Sequence, residues 1–378
     1  MKKYVYLFSL FIFFVFLSFE KSPTPSLKEI SPAVPLLQLK WNKAYNDDTI
    51  DKSIIGLKWA LSYVGAQLPT SEIGISYSEN IITIDSNKLG FSENAQNKLS
   101  VLYTKILASE EYKVNKSIDL GRYVTLLLGA SEHYYAISET PRQLKTILNN
   151  YTLKSEKGYV ANSTVSLSHR SIQFSEQNGF NQLFLSEEID SISGTIYEYE
   201  TIELLPNGQL RFGVFDANGN RKNSANSLHS SAGKPAKCMW CHESVINQMF
   251  KTQKDFPNYI PFTDFQNKLI GYRSSHHNLK IKLRDGVDFT QTQQHTLTEF
   301  LYITFMEPSP ERLSLEWNLP LAEVQKMLLN STTHVNEEFP FLGILYDRNY
   351  IEKMAPLKGL EISSSVRELS NVEVNHLN

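Results

Sequence analysis

The chain has 378 residues, which at about 150 residues per domain suggests two domains or three. With 41% hydrophobic and 20% charged residues it can bury a core and does not read as a disordered tail. A net charge of -3 with no basic run excludes a nucleic-acid partner, and two cysteines are too few for a disulfide-stapled scaffold.

Lys2 and Lys3 precede Tyr4–Phe19, a stretch interrupted only by Ser9 and Ser18, and the polar run Glu20–Pro25 follows. A basic start, an apolar middle and a polar end make residues 1–25 a secretory signal peptide or an N-terminal anchor. As a helix the apolar run rises about 24 Å, short of the roughly 30 Å hydrocarbon core, which favours the signal peptide. Phe19, Glu20 and Lys21 leave no small pair at the natural cleavage point, so a membrane tether through residues 4–19 stays as the alternative. In both cases the remaining chain is expected outside the cytoplasmic membrane, periplasmic or otherwise exported. Residues 26–40, with Pro32 and Pro35, read as a linker.

Residues 41–157 read as a mainly helical domain. Asn80–Asp85 has the pattern of a short strand. Behind Ser92, Ala95, Leu99, Leu102 and Ile106 recur at helical spacing, and a second, more buried helix is expected from Asp119 to Gly129. Residues 158–220 read as an antiparallel β region: Thr195–Leu205 and Gln209–Phe215 are rich in β-branched and aromatic residues, with Pro206-Asn207-Gly208 between them. Asp216-Ala217-Asn218-Gly219-Asn220 has its glycine too early for a calcium loop and reads as a turn. Residues 221–378 read as mostly helical: a helix starting near Cys241 and continuing towards Phe250, one around Gln294–Phe305 and one from Pro310 behind Ser309. The fold class expected is α+β.

The chemistry concentrates in Cys238-Met239-Trp240-Cys241-His242, a C-x-x-C-H that uses both cysteines of the chain. Random placement gives such a coincidence on the order of once in ten thousand. Two thiols at this spacing reach the two vinyl groups of one haem, and the adjacent histidine falls under the iron. Over these five residues the chain resembles the c-type cytochromes. The resemblance implies one covalently attached haem c, tethered by Cys238 and Cys241, with His242 as proximal iron ligand. A zinc site would need further ligands such as His229, His276 or His277, and a thioredoxin-like dithiol fits poorly with Met239 and Trp240 between the cysteines.

For the sixth iron ligand the expected donors are Met306, before a proline loop, and Met354, in a loop of its own, ahead of His276, His277 and His295. Met239 and Met249 are held to the proximal side if the helix continues past His242, Met327 falls on an apolar stripe, and His133 reads as structural. The function expected is electron transfer by an exported mono-haem c-type cytochrome-like protein, an electron carrier or redox partner subunit with an unknown partner protein, and catalysis of its own is left open. The alternatives are a haem-based sensor or small-ligand enzyme with an open iron site, and a zinc or non-haem interaction protein.

Overall fold

The computed structural model describes residues 34–378, so the signal or anchor of residues 1–25 and the linker up to residue 33 lie outside the described residues. The end of that linker is not one. Once the prolines stop at Pro35, Leu37 and Leu39 turn inward, alternating with Gln38 and Lys40, and strand β1 (Leu37–Lys40) forms. It pairs antiparallel with β3 (Ile81–Ile84) and parallel with β4 (Ile118–Asp119), and β2 (Ile75–Ser78) closes the far edge of this sheet.

The helices of this part of the chain are α1 (Ile50–Tyr63), α2 (Glu93–Ala108), α3 (Glu110–Asn115), α4 (Leu120–Leu128), α5 (Ser131–Ile137) and α6 (Leu144–Leu148). Ser92 caps α2 by accepting from Ala95 N, and Ala95, Leu99, Leu102 and Ile106 are buried as their spacing requires. Asp119 caps α4 in the same way, and Gly129 ends it. Every residue of α4 is buried.

Strands β5 (Leu153–Val160), β6 (His169–Ser175), β7 (Leu183–Ile189), β8 (Ile196–Leu204) and β9 (Leu210–Asp216) form an antiparallel meander. Gly208, at φ +84°, turns β8 into β9. After β9, Asp216 Oδ1 accepts from Asn218 N and Asn220 N, and the loop is a turn. Leu144 and Ile147 of α6 pack with Leu183, Leu185 and Phe215 on one face of the sheet.

The remaining elements include α7 (Pro235–His242), α8 (Phe262–Lys280), α9 (Gln294–Met306), α10 (Pro310–Trp317), α11 (Leu321–Met327) and α12 (Arg348–Ile351). Helix α8 crosses the second face of the meander, with Tyr272 packed edge-on to Phe174 and Phe184. It comes close because Gly158 of β5 has no side chain: a Cβ there would fall 2.2 Å from the ring of Phe265. Helices α1 and α9 approach through Gly56, where a Cβ would meet the Leu297 carbonyl at 2.7 Å. The main hydrophobic core draws on residues from Val34 to Leu377, with smaller clusters around α6 and among α10, α11 and α12, so the chain is α+β with its helical and sheet regions sharing an interior. Among the described residues no helix is long and apolar enough to cross a membrane.

Candidate functional site

Helix α7 carries the C-x-x-C-H. Pro235 opens its first turn, where no backbone donor is needed. The buried Lys234 just before it donates to Gly129 O, Ser365 O, Ser370 Oγ and Glu373 Oε2, tying the helix start to α4 and to the C-terminal segment. His242 is the last helical residue. Here the expected continuation to Phe250 is overturned: Glu243 (φ 40°) and Ser244 (φ 54°) are both left-handed, and the chain leaves the helix axis. Two consecutive non-glycine residues in this region cost roughly 1–3 kcal/mol each, so neighbouring contacts must hold them. Ser244 Oγ donates to Gly208 O at 2.7 Å, Lys280 Nζ donates to Ser244 O, and Glu243 Oε1 lies 3.1 Å from His295 Nδ1.

The same turn orients the imidazole. His242 Nδ1 lies 3.2 Å from Val245 O, which makes Nδ1 the donor and leaves Nε2 with its lone pair. The ring packs beside Phe212, centroids 5.4 Å apart. Burial lowers its pKa to about 4, so the ring is neutral at neutral pH. Burial also pushes the Cys238 thiol well up, with the Glu200 carboxylate adding to it, and raises Cys241. Both sulfurs are therefore thiols at neutral pH, the reverse of the depressed pKa that a reactive dithiol requires.

Cys238, Cys241 and His242 line one pocket of about 1080 Å³ between α7, the 246–250 connection and the open part of the meander. Strand register grades the sheet wall. Phe174, Phe184, Ile202 and Phe212 share one row, Ile172, Ser186, Glu200 and Val214 the next, and Arg170, Glu188 and Glu198 the third. The pocket thus has an apolar end and a polar one. At the polar end Arg170 Nη2 donates to Glu188 Oε2 at 3.1 Å. Burial raises Glu188 to about 8 against the pull of Arg170, so it is protonated at neutral pH. Arg170 Nε and Glu200 Oε1 are buried without any hydrogen-bond partner, although both residues line the pocket. Sequence reading passed over this pair; the signal was a charged residue recurring at period two with Ile172 and Phe174, and with Ile202.

The structure does not bring Met306 or Met354 to this pocket. Met306, at the end of α9, lines a separate cleft with Tyr302, Glu307 and His334. Met354 packs with Leu313, Trp317 and Leu328, as does Met327. Met239 is buried in the main core, and Met249, free of the expected helix, is the methionine on the pocket wall. His276 faces another cavity, which His277 also lines, with Nε2 3.2 Å from Gly208 O. His295 pairs with Glu243, and His133 is held between Leu126 O and His376 N, a structural histidine. Among the described residues no three His, Cys, Asp or Glu side chains cluster as a metal site. No family model matches the chain, and no curated protein or solved structure is similar to it.

Proposed function

We propose that the chain is an exported protein carrying one haem c, tethered by Cys238 and Cys241 and ligated by His242, and that its function is electron transfer through that haem. The observation that carries this reading is convergence: both thiols and a neutral imidazole with a free Nε2 line a single pocket. The donor set fits the group. Both cysteines are free and stand one helix turn apart, and an imidazole fixed by a backbone carbonyl is a preoriented iron ligand. The row Phe174, Phe184, Ile202 and Phe212 suits the apolar rim of a macrocycle, and the row with Arg170 suits its carboxylate edge. When bound, haem supplies one-electron chemistry between ferric and ferrous iron. His242 Nε2 would ligate the iron, Phe250, Ile246 and Leu269 would line the ring, and Cys238 and Cys241, one helix turn apart, would tether it.

A second reading, an iron with an open position serving a sensor or a small-ligand enzyme, is favoured by two observations. Met306 and Met354 lie outside the pocket, and the pocket wall carries Arg170 and Glu200. Redox titration of the full chain, matured where haem c is attached, tests the proposal. A reversible one-electron wave linked to the haem bands supports it, and protein without such a wave refutes it.

A further inference from the structure

A second cleft opens beside the turn that ends α7 and shares no lining residue with the thiol pocket: His242 and Ile246 line the pocket, Glu243 and Val245 the cleft. We infer that this cleft is a binding site for a small organic monocarboxylate, with Lys280 holding the carboxylate and Arg273 attracting it at the rim. Both residues line the cleft from α8, seven positions apart and so on one helix face. Lys280 is 5% exposed. Its ammonium donates to Ser244 O and lies 4.9 Å from the centre of the Phe289 ring, but forms no ion pair among the described residues. Glu243 attracts it only from beyond ion-pair distance, and Glu243 Oε1 is taken up by Gln293 N and His295 Nδ1. Pinning Ser244 O needs one neutral donor, whereas an ammonium brings three donors and a charge that is costly to bury alone. Burial lowers Lys280 to about 8, so it still carries that charge at neutral pH. Arg273 is exposed and has no ion pair among the described residues either. Charge and shape select the class. Lys280 and Arg273 against Glu243 leave an excess of one positive charge among the Lys, Arg, Asp and Glu residues of the lining, which a monoanion cancels and a phosphate dianion exceeds. Trp59 and Phe289, edge to face at 6.0 Å, line the cleft with Val245 and Ile270 and give an apolar body a surface to cover.

The probes are benzoate, its neutral isostere benzamide and inorganic phosphate, titrated calorimetrically into the full chain, with or without haem. Benzoate should bind saturably, benzamide about tenfold more weakly for want of a charge-assisted hydrogen bond, and phosphate without saturation. Lys280→Met keeps the aliphatic stem and should weaken benzoate about tenfold while benzamide stays within about threefold of the wild type. That variant also gives up the Ser244 contact, so Arg273→Gln, on the exposed rim, guards against a merely unfolded chain. It should keep the wild-type circular dichroism and weaken benzoate about threefold, an effect that added salt removes. Wild-type protein that does not saturate with benzoate overturns the inference, as does equal binding of benzoate and benzamide. Phosphate displacing benzoate at equal concentration overturns the carboxylate class. Unchanged benzoate binding in both variants overturns the roles of Lys280 and Arg273, and leaves the lysine as a pin for the turn.

Discussion

Cys238 and Cys241 stand one helix turn apart and lead into one cavity, so each thiol should form its own thioether. Cys238→Ser and Cys241→Ser are each expected to keep haem through denaturation by the remaining bond, with the reduced haemochrome band displaced as one vinyl group returns. The double variant should lose covalent haem entirely, and haem-dependent mass surviving in it would remove these residues from the account. This triad was legible because its spacing is local chemistry, independent of the fold. The turn after His242 was not. Glu-Ser carries no left-handed preference, and its conformation comes from Gly208, Lys280 and His295, which approach from other parts of the chain. A helix continuing past His242 would hold Met249 to the proximal face and leave Met306 and Met354 as donors, but both of these pack away from the pocket.

Strands and helices supply what the triad lacks, a wall and a lid. Strand register puts Arg170 and Glu200 opposite α7, and α8 closes on the meander only where Gly158 admits Phe265, itself stacked on Phe250 of the pocket wall at 5.6 Å. Gly158→Ala should therefore cost about 1–3 kcal/mol in urea unfolding and loosen the pocket, since the clash is with a packed ring and not a flexible chain end. An unchanged unfolding midpoint would contradict this packing. A second element-scale device lies between α4, α10 and α12. Arg122, Arg312 and Arg348, all buried, surround the ring of Phe305 and pair with Asp119, Glu111, Glu316 and Glu352. Glu316→Gln leaves Arg312 and Arg348 short of a counter-charge and should cost about 3–5 kcal/mol, read from the same urea curves. Capped helices and the Asn-Gly turn were legible in the sequence because a side chain and the adjacent backbone decide them. The arginine network was not, because its members lie on helices far apart in the chain.

At the scale of the whole molecule, buried ionisable groups set the pH dependence of the apo chain, and the signs can be worked out. Burial lowers His133 and His242 to about 4 and His276 to about 3, so their stability is present above about 6.5 and lost as pH falls. Glu188 and Glu299 are raised to about 8 and about 7, and their stability is lost as pH rises from about 4.5 through those values. Between about 4.5 and 6.5 the three histidines outweigh the two carboxyls by roughly one proton, so stability should rise with pH by about 1 kcal/mol per pH unit. Below that, Glu316, held down to about 2 by Arg348 and Arg312 against its burial, and His276 fall together, a loss on the order of 5 kcal/mol. From 6.5 to 8 the carboxyls alone remain, with a loss on the order of 2 kcal/mol, so a urea midpoint that climbs steadily across that interval would contradict this balance. Haem ligation takes His242 out of the balance, because the iron then occupies its lone pair. The central claim is that this fold carries covalent haem, and intact mass spectrometry tests it most directly. The full chain, expressed for export in cells that attach haem c and then denatured, should weigh one haem more than its polypeptide. A bare polypeptide mass under those conditions would contradict the account.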